Sequence, residues 1–183
     1  MYKRQLWGGT IYGLGGERKG VELIRIYNGK LQLFLKADKC LDIYRADYCG
    51  ENASFITKNG LVSPCLANTD AYPFASSFEG GFLFTCGPDN IGTPVGTSIQ
   101  HGIFSMLPAE NIAVIKNREN DRWYVEVSGD ICYTALFGSK LRLHRKIRLY
   151  YGESSIHLQD KLTNEGFTKD QYMICLLYTS RCV

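Results

Sequence analysis

Two charged residues break the pattern of the strands that carry them. Arg145 falls among Leu141, Leu143, Ile147 and Leu149 on an apolar strand face, and Asp160 shares a face with Ile156, Leu158 and Leu162. A hairpin turning at Tyr151-Gly152-Glu153 brings the two within diagonal cross-strand reach. They form either an ion pair that satisfies itself or a charged patch on a concave sheet, where a polar ligand would sit. The other groups able to do chemistry are sparser. His144 and His157 lie opposite the apolar parity of their strands and read as solvated, and Asp42 sits where a strand ends and reads as a turn cap. Glu79, just before Gly80-Gly81, faces either solvent or a ligand. Cys86 reads as a small core residue, because no histidine stands beside it in sequence to activate the thiol. No cluster of His, Asp and Glu has metal-ligand spacing, so no metal and no cofactor is expected. Gly13-Leu14-Gly15-Gly16 lacks the lysine-hydroxyl ending of a phosphate loop and reads as an ordinary loop.

The elements that position these residues are strands and turns. Val21 to Ile26 and Leu31 to Leu35 flank Asn28-Gly29, a two-residue hairpin signal. Trp123, Val125 and Val127 alternate with polar neighbours, as do Ile131, Tyr133, Ala135 and Phe137 beyond Gly129, which predicts half-buried strands on both sides of that glycine. Leu141 to Leu149 and Ser154 to Thr163 form a long antiparallel hairpin, with Lys140, Arg142, His144, Lys146 and Arg148 facing away from the core. Ser63 to Ser77 has two prolines and no sustained periodicity, and reads as a long surface connection. The fold class is therefore all-β.

Composition agrees. The chain has 183 residues, 45% of them hydrophobic and 13% aromatic, enough for one globular domain and without the signature of disorder. No apolar run approaches the roughly 20 residues needed to cross a bilayer, and the first residues lack the pattern of a secretory signal. The reading is cytoplasmic, with no membrane association. The ends qualify the net charge of +3. Met1 to Gln5 and Cys175 to Ser180 are what the two orientations of a transposase end sequence, used to prepare sequencing libraries, would encode. Residues 1–5 and 175–183 are accordingly expected to be non-native, and the native segment to run from 6 to 174. Without Lys3, Arg4 and Arg181 the basic count falls from 21 to 18 against 18 acids, so the charge offers nucleic acid nothing. Cys40, Cys49, Cys65, Cys86 and Cys132 remain, without C-x-x-C spacing, and read as free thiols in a reducing compartment.

Several motifs, taken in order, resemble an aldose 1-epimerase-like family of poorly defined function. They are Asp38-Lys39-Cys40-Leu41-Asp42-Ile43, then Phe78-Glu79-Gly80-Gly81 through Cys86-Gly87, then His101-Gly102 with Pro108-Ala109-Glu110. Leu136-Phe137-Gly138, the alternating stretch Leu141 to Ile147, and Asp160 to Gly166 continue the match, which covers Leu6 to Ile174. The resemblance implies a galactose-mutarotase-like β-supersandwich, mostly antiparallel and only partly contained in this chain, that binds a small-molecule sugar on a concave sheet. The implied chemistry is interconversion of sugar anomers, an isomerase reaction. A base takes the anomeric hydroxyl proton, an acid protonates the ring oxygen, and the opened chain rotates before it closes.

Under that resemblance His101 contacts the sugar as the acid, since histidine titrates near pH 6.5. Thr85, Asn90 and Arg145 are the implied substrate-binding residues. Ile103 stands where the family usually carries arginine, and the expected second histidine and later carboxylate are replaced by the sequence from Cys175 onward. The general base therefore has no candidate, and the fragment is expected to be inactive alone. The alternative is a non-catalytic carbohydrate-binding β-sandwich module on the same concave sheet.

Overall fold

The computed structural model describes residues 6–12, 21–67 and 73–178. Of the ends read as non-native, only 175–178 fall within it, and the glycine cluster at 13–16 lies outside the described residues. Two antiparallel sheets carry the fold. The first has five strands in chain order: β1 (Trp7–Tyr12), β2 (Glu22–Tyr27), β3 (Leu31–Lys36), β4 (Asp42–Tyr48) and β5 (Glu51–Asn52). The second has four, β9 (Ala109–Glu119), β10 (Arg122–Thr134), β11 (Lys140–Tyr150) and β12 (His157–Asn164), in the order β12-β11-β10-β9. Between them run two short pairs. β6 (Phe55–Ile56) pairs with β7 (Gly80–Gly81), and β8 (Leu83–Cys86) pairs with β13 (Cys175–Tyr178).

Period-2 alternation decides which faces meet. Along β11 every odd residue from Leu141 to Leu149 is buried and every even one from Lys140 to Arg148 is not. Ile24, Ile26, Leu33, Leu35 and Ile43 of the first sheet pack on Val125, Val127, Ile147 and Leu149 of the second in one core. A second cluster, Cys40, Phe104, Ile131 and Leu143, fills the end of the sandwich nearest the long loop after β8. The result is an all-β sandwich in which apolar inner faces are removed from water and charged outer faces are not.

Four local readings change. Trp123 to Tyr133 is one continuous strand rather than two, with a register shift against β9 at Ser128/Asp130, and Phe137 sits at an exposed hairpin tip instead of in a strand. β9 has no clean alternation to read, because it is an edge strand with most side chains in solvent. The connection from Ser63 is not all surface: Ser63, Ala67 and Ser77 are buried, and a single helical turn, α1 (Phe74–Ser77), closes it. The β2–β3 turn has Gly29-Lys30 at its centre, since Tyr27 pairs with Gln32 and the Asn28 N–H donates to the Leu31 carbonyl.

Asn28 is displaced from the turn centre because its side chain does something else. Its Oδ1 accepts from the Lys30 and Leu31 N–H groups at 3.0 and 2.7 Å, while Nδ2 donates to the carbonyls of Tyr150 and Glu153 at 2.6 and 3.0 Å. One fully buried amide thus ties the β2–β3 turn to the β11–β12 turn. Removing it strands two donors and two acceptors, each costing about 1 kcal/mol or more. Asn28→Ala is expected to lower unfolding free energy by about 2 to 4 kcal/mol in urea titrations. A loss below about 0.5 kcal/mol would show that the two turns do not depend on this side chain.

Candidate functional site

The densest chemistry in the molecule is buried where β3, the following turn, β4, β8 and β11 converge. Lys36 at the end of β3 and Lys39 in the turn share the Glu79 carboxylate at 2.6 and 2.7 Å, and all three are fully buried. Arg145 of β11 forks onto Asp160 of β12 through Nε and Nη2, at 2.9 and 2.8 Å. Its Nη1 donates to Asp42 Oδ1 at 2.8 Å, to the Cys40 carbonyl at 3.0 Å and to Thr85 Oγ1 at 2.9 Å. The Thr85 hydroxyl and N–H both donate to the same Asp42 carboxylate, at 2.6 and 2.9 Å. Three cations and three carboxylates balance, five of them fully buried and Asp160 at the rim with its side chain 21% exposed, which is the condition for burying such a group.

This explains the first motif. Cys40 and Leu41, both fully buried, have positive φ, +58° and +51°. Such backbone costs on the order of 1 to 3 kcal/mol per residue and persists only where its surroundings over-determine it. Here the Cys40 carbonyl is held by Arg145, its N–H by the Leu107 carbonyl, and Leu41 by the core. Burial pushes the Cys40 thiol up to about 12, so it is a neutral packing group. Asp42 is not a turn cap: it is the acceptor at which the two halves of the network meet.

Electrostatics follow from placement. Burial alone would raise the Glu79 carboxyl, but the two ammonium groups outweigh it and hold the carboxyl below its ordinary range. Burial also works against charge on both lysines. The carboxylates of Glu79 and Asp42 overcome it at Lys36, which is raised, whereas at Lys39 burial prevails, reinforced by repulsion from Lys36.

Above the network lies the loop of residues 87–102. The Gly87 N–H donates to the His101 carbonyl at 3.0 Å and closes the loop at its base. Asn90, 6% exposed, fills it: Nδ2 donates to the carbonyls of Thr93 and Ile99 at 2.8 and 2.9 Å, and Oδ1 accepts from the Gly92 N–H at 3.1 Å. His101 is left-handed at φ +64°, followed by Gly102 at +73°. A Cβ on Gly102 would collide with the Asn90 carbonyl and stand 2.6 Å from the Gly87 carbonyl oxygen, so the glycine of the histidine-glycine pair is a steric requirement. The His101 ring packs on Phe74 with centroids 4.6 Å apart. Phe74, Phe78 and Phe84 form a cluster at 5.0 to 6.1 Å, and Phe84 in turn covers the Lys36 ammonium at 5.4 Å.

The residues singled out from sequence therefore fall into two pairs. Thr85 and Arg145 touch inside the network, with all three guanidinium nitrogens engaged by protein groups, and both are fully buried. Asn90 and His101 belong to the loop, joined to Thr85 by the two residues Cys86-Gly87. His144 bonds to Asp130 at 2.7 Å on the outer face of the second sheet, and His157 is half-exposed beside Ser155. Sequence reasoning missed Lys36, Lys39 and the three phenylalanines. The lysines lie 43 and 40 residues from Glu79, and no local pattern announces such a pairing.

A family model described as a domain of unknown function, DUF4432, matches residues 18–178. The chain belongs to this family. The match takes in the whole network, the 87–102 loop and strand β13. No curated protein and no solved structure matches the chain.

The network carries a testable pH dependence within this DUF4432 domain. A carboxyl depressed in the folded state stabilises it above the unfolded value of about 4.3, and that contribution is lost as pH falls through the folded value. Glu79→Gln leaves two ammonium groups facing an amide, and is expected to cost about 3 to 5 kcal/mol at pH 7 and to flatten the decline below pH 4. Adding Lys39→Met should recover part of the loss. Urea unfolding from pH 7 to 2.5 measures both, and a cost under about 1 kcal/mol with an unchanged acid limb would contradict the shared-carboxylate account.

Proposed function

We propose that this domain binds an aldose at the 87–102 loop and interconverts its anomers. What supports the reading above all is His101. Its Nδ1 stands 3.2 Å from the Ile91 carbonyl oxygen, which requires Nδ1–H as the donor and leaves Nε2 with no partner among the described residues. A ring fixed in that way presents one nitrogen: a lone pair when neutral, an N–H donor when protonated. The protonated form can donate to a sugar ring oxygen as the ring opens, while the anomeric hydroxyl proton passes to water, and on closure the neutral form takes its proton back as water reprotonates the carbonyl oxygen. The adjoining Phe74 supplies an apolar surface for the C–H face of a pyranose.

The ordered motifs shared with aldose 1-epimerase-like proteins support the same chemistry, an isomerase acting on a small sugar. Thr85 and Arg145 then serve the sugar indirectly. They hold β8, whose end anchors the base of the loop, while Asn90 keeps the loop open.

His101→Asn tests the reading, because asparagine tolerates a left-handed backbone and cannot act as the acid. Exchange of anomerically pure D-galactose and D-glucose, followed by NMR near pH 7, should fall at least roughly tenfold with thermal stability little changed. An exchange rate above buffer that the substitution leaves untouched would remove His101 from the chemistry. Sugar binding without any exchange in the parent protein would favour a carbohydrate-binding module instead.

A further inference from the structure

Where the chain leaves β8, Pro88 and Asp89 face Asp170, Gln171, Tyr172 and Met173 across a cavity of about 660 Å³, within the usual range of roughly 300 to 1,000 Å³ for small-molecule sites. The two walls are clasped by the Met173 N–H, which donates to the Pro88 carbonyl at 2.8 Å. Asp170 uses one carboxylate oxygen to accept from the Gln171 N–H at 2.9 Å. Its other oxygen, Oδ2, and Asp89 Oδ1 are both shielded from solvent and have no donor among the described residues. Native proteins leave few such atoms, and each is expensive, more so for a charged group.

Among the described residues nothing supplies these donors, so a bound molecule could. No third His, Cys, Asp or Glu joins the two aspartates in a metal-holding group among the described residues, which disfavours a cation. A neutral molecule with several hydroxyl donors and an apolar face matches better. Tyr172 and Met173, 58% and 46% exposed, supply the apolar wall. Tyr133 lies close enough that burial, then Asp89 and Asp170, raise its hydroxyl above its ordinary range, keeping it protonated.

We infer that Asp89 and Asp170 form a hydroxyl-binding subsite, each carboxyl group turning to bring its unpaired oxygen to a hydroxyl group of a sugar whose ring lies against Tyr172 and Met173. The inference rests on the sugar reading above and adds where the sugar's hydroxyls are held. Asp89 opens the loop that His101 closes, and the Gly87–His101 hydrogen bond brings those two ends together.

Saturation-transfer NMR with D-galactose and D-glucose on the wild-type chain, D89N, D170N and His101→Asn tests it, alongside side-chain carboxyl ¹³C shifts. Each aspartate variant should weaken binding roughly tenfold or more while melting like the wild type. In the wild type the Asp89 and Asp170 carboxyl signals should move on adding sugar and not on adding calcium alone. Normal sugar affinity in D89N and D170N, with affinity lost in His101→Asn, would overturn the subsite and leave the sugar reading standing. Carboxyl shifts with calcium only would overturn it in favour of a cation site. No binding of either sugar by the wild type would overturn both.

Discussion

Arg145 is the residue on which the rest of this structure depends. It stands on the inner face of β11, where every neighbour of the same parity is aliphatic, and it is fully buried. A guanidinium there is tolerable only if its donors are met by fixed acceptors. Those acceptors come from β12, from the strained turn before β4, from Asp42 itself and from β8. A single side chain therefore specifies how four parts of the chain meet, at a point where apolar packing alone would permit sliding. Breaking such a group by removing one member costs far more than its net contribution to stability, which is why its value lies in registration.

The loop that carries His101 inherits this order. Thr85 donates twice to Asp42, β8 is thereby fixed, and the next residues deliver Gly87 to the His101 carbonyl. Asn90 then adds side-chain hydrogen bonds to the backbone pairing within the 16-residue loop, of Val95 with Ser98 and of the His101 N–H with the Gly92 carbonyl. The loop is rigid where it must be, at its base, and presents its ring at the edge of three phenylalanines. Beneath the aromatic cluster, Lys36 and Lys39 close over Glu79, so the charges nearest that cluster are already neutralised.

Much of this was legible in the sequence where the signal is local and periodic. Alternation placed Arg145 and Asp160 on one face, and the register sets them directly opposite each other, closer than the diagonal expected. The all-β class followed from the same periodicity. What escaped has physical reasons. The Lys36–Glu79–Lys39 group and the Asp42–Arg145 pair join residues 40 to 103 positions apart, and no spacing rule reaches that far. Cysteine and leucine give no hint of a left-handed backbone, so the turn at Cys40-Leu41 read as a strand end and Asp42 as its cap. Asn28 misled because asparagine-glycine is a turn signal and the side chain was bonding across two hairpins instead. Thr85 was found for its place in a motif and Arg145 for breaking the parity of its strand, and their partners in the network came from contacts that neither signal encodes.

The most direct test of this account is the coupling between Asp42 and Arg145. Unfolding free energies of the parent, Asp42→Asn, Arg145→Met and the double variant, from urea titrations at pH 7, close a thermodynamic cycle. If one guanidinium registers four elements through Asp42, each single change is severe and the double is much less than their sum, with a coupling of about 2 to 3 kcal/mol. Additive losses, with a coupling below about 0.5 kcal/mol, would mean that the sandwich is held in place by its apolar faces and that the ion network merely fills the space between them.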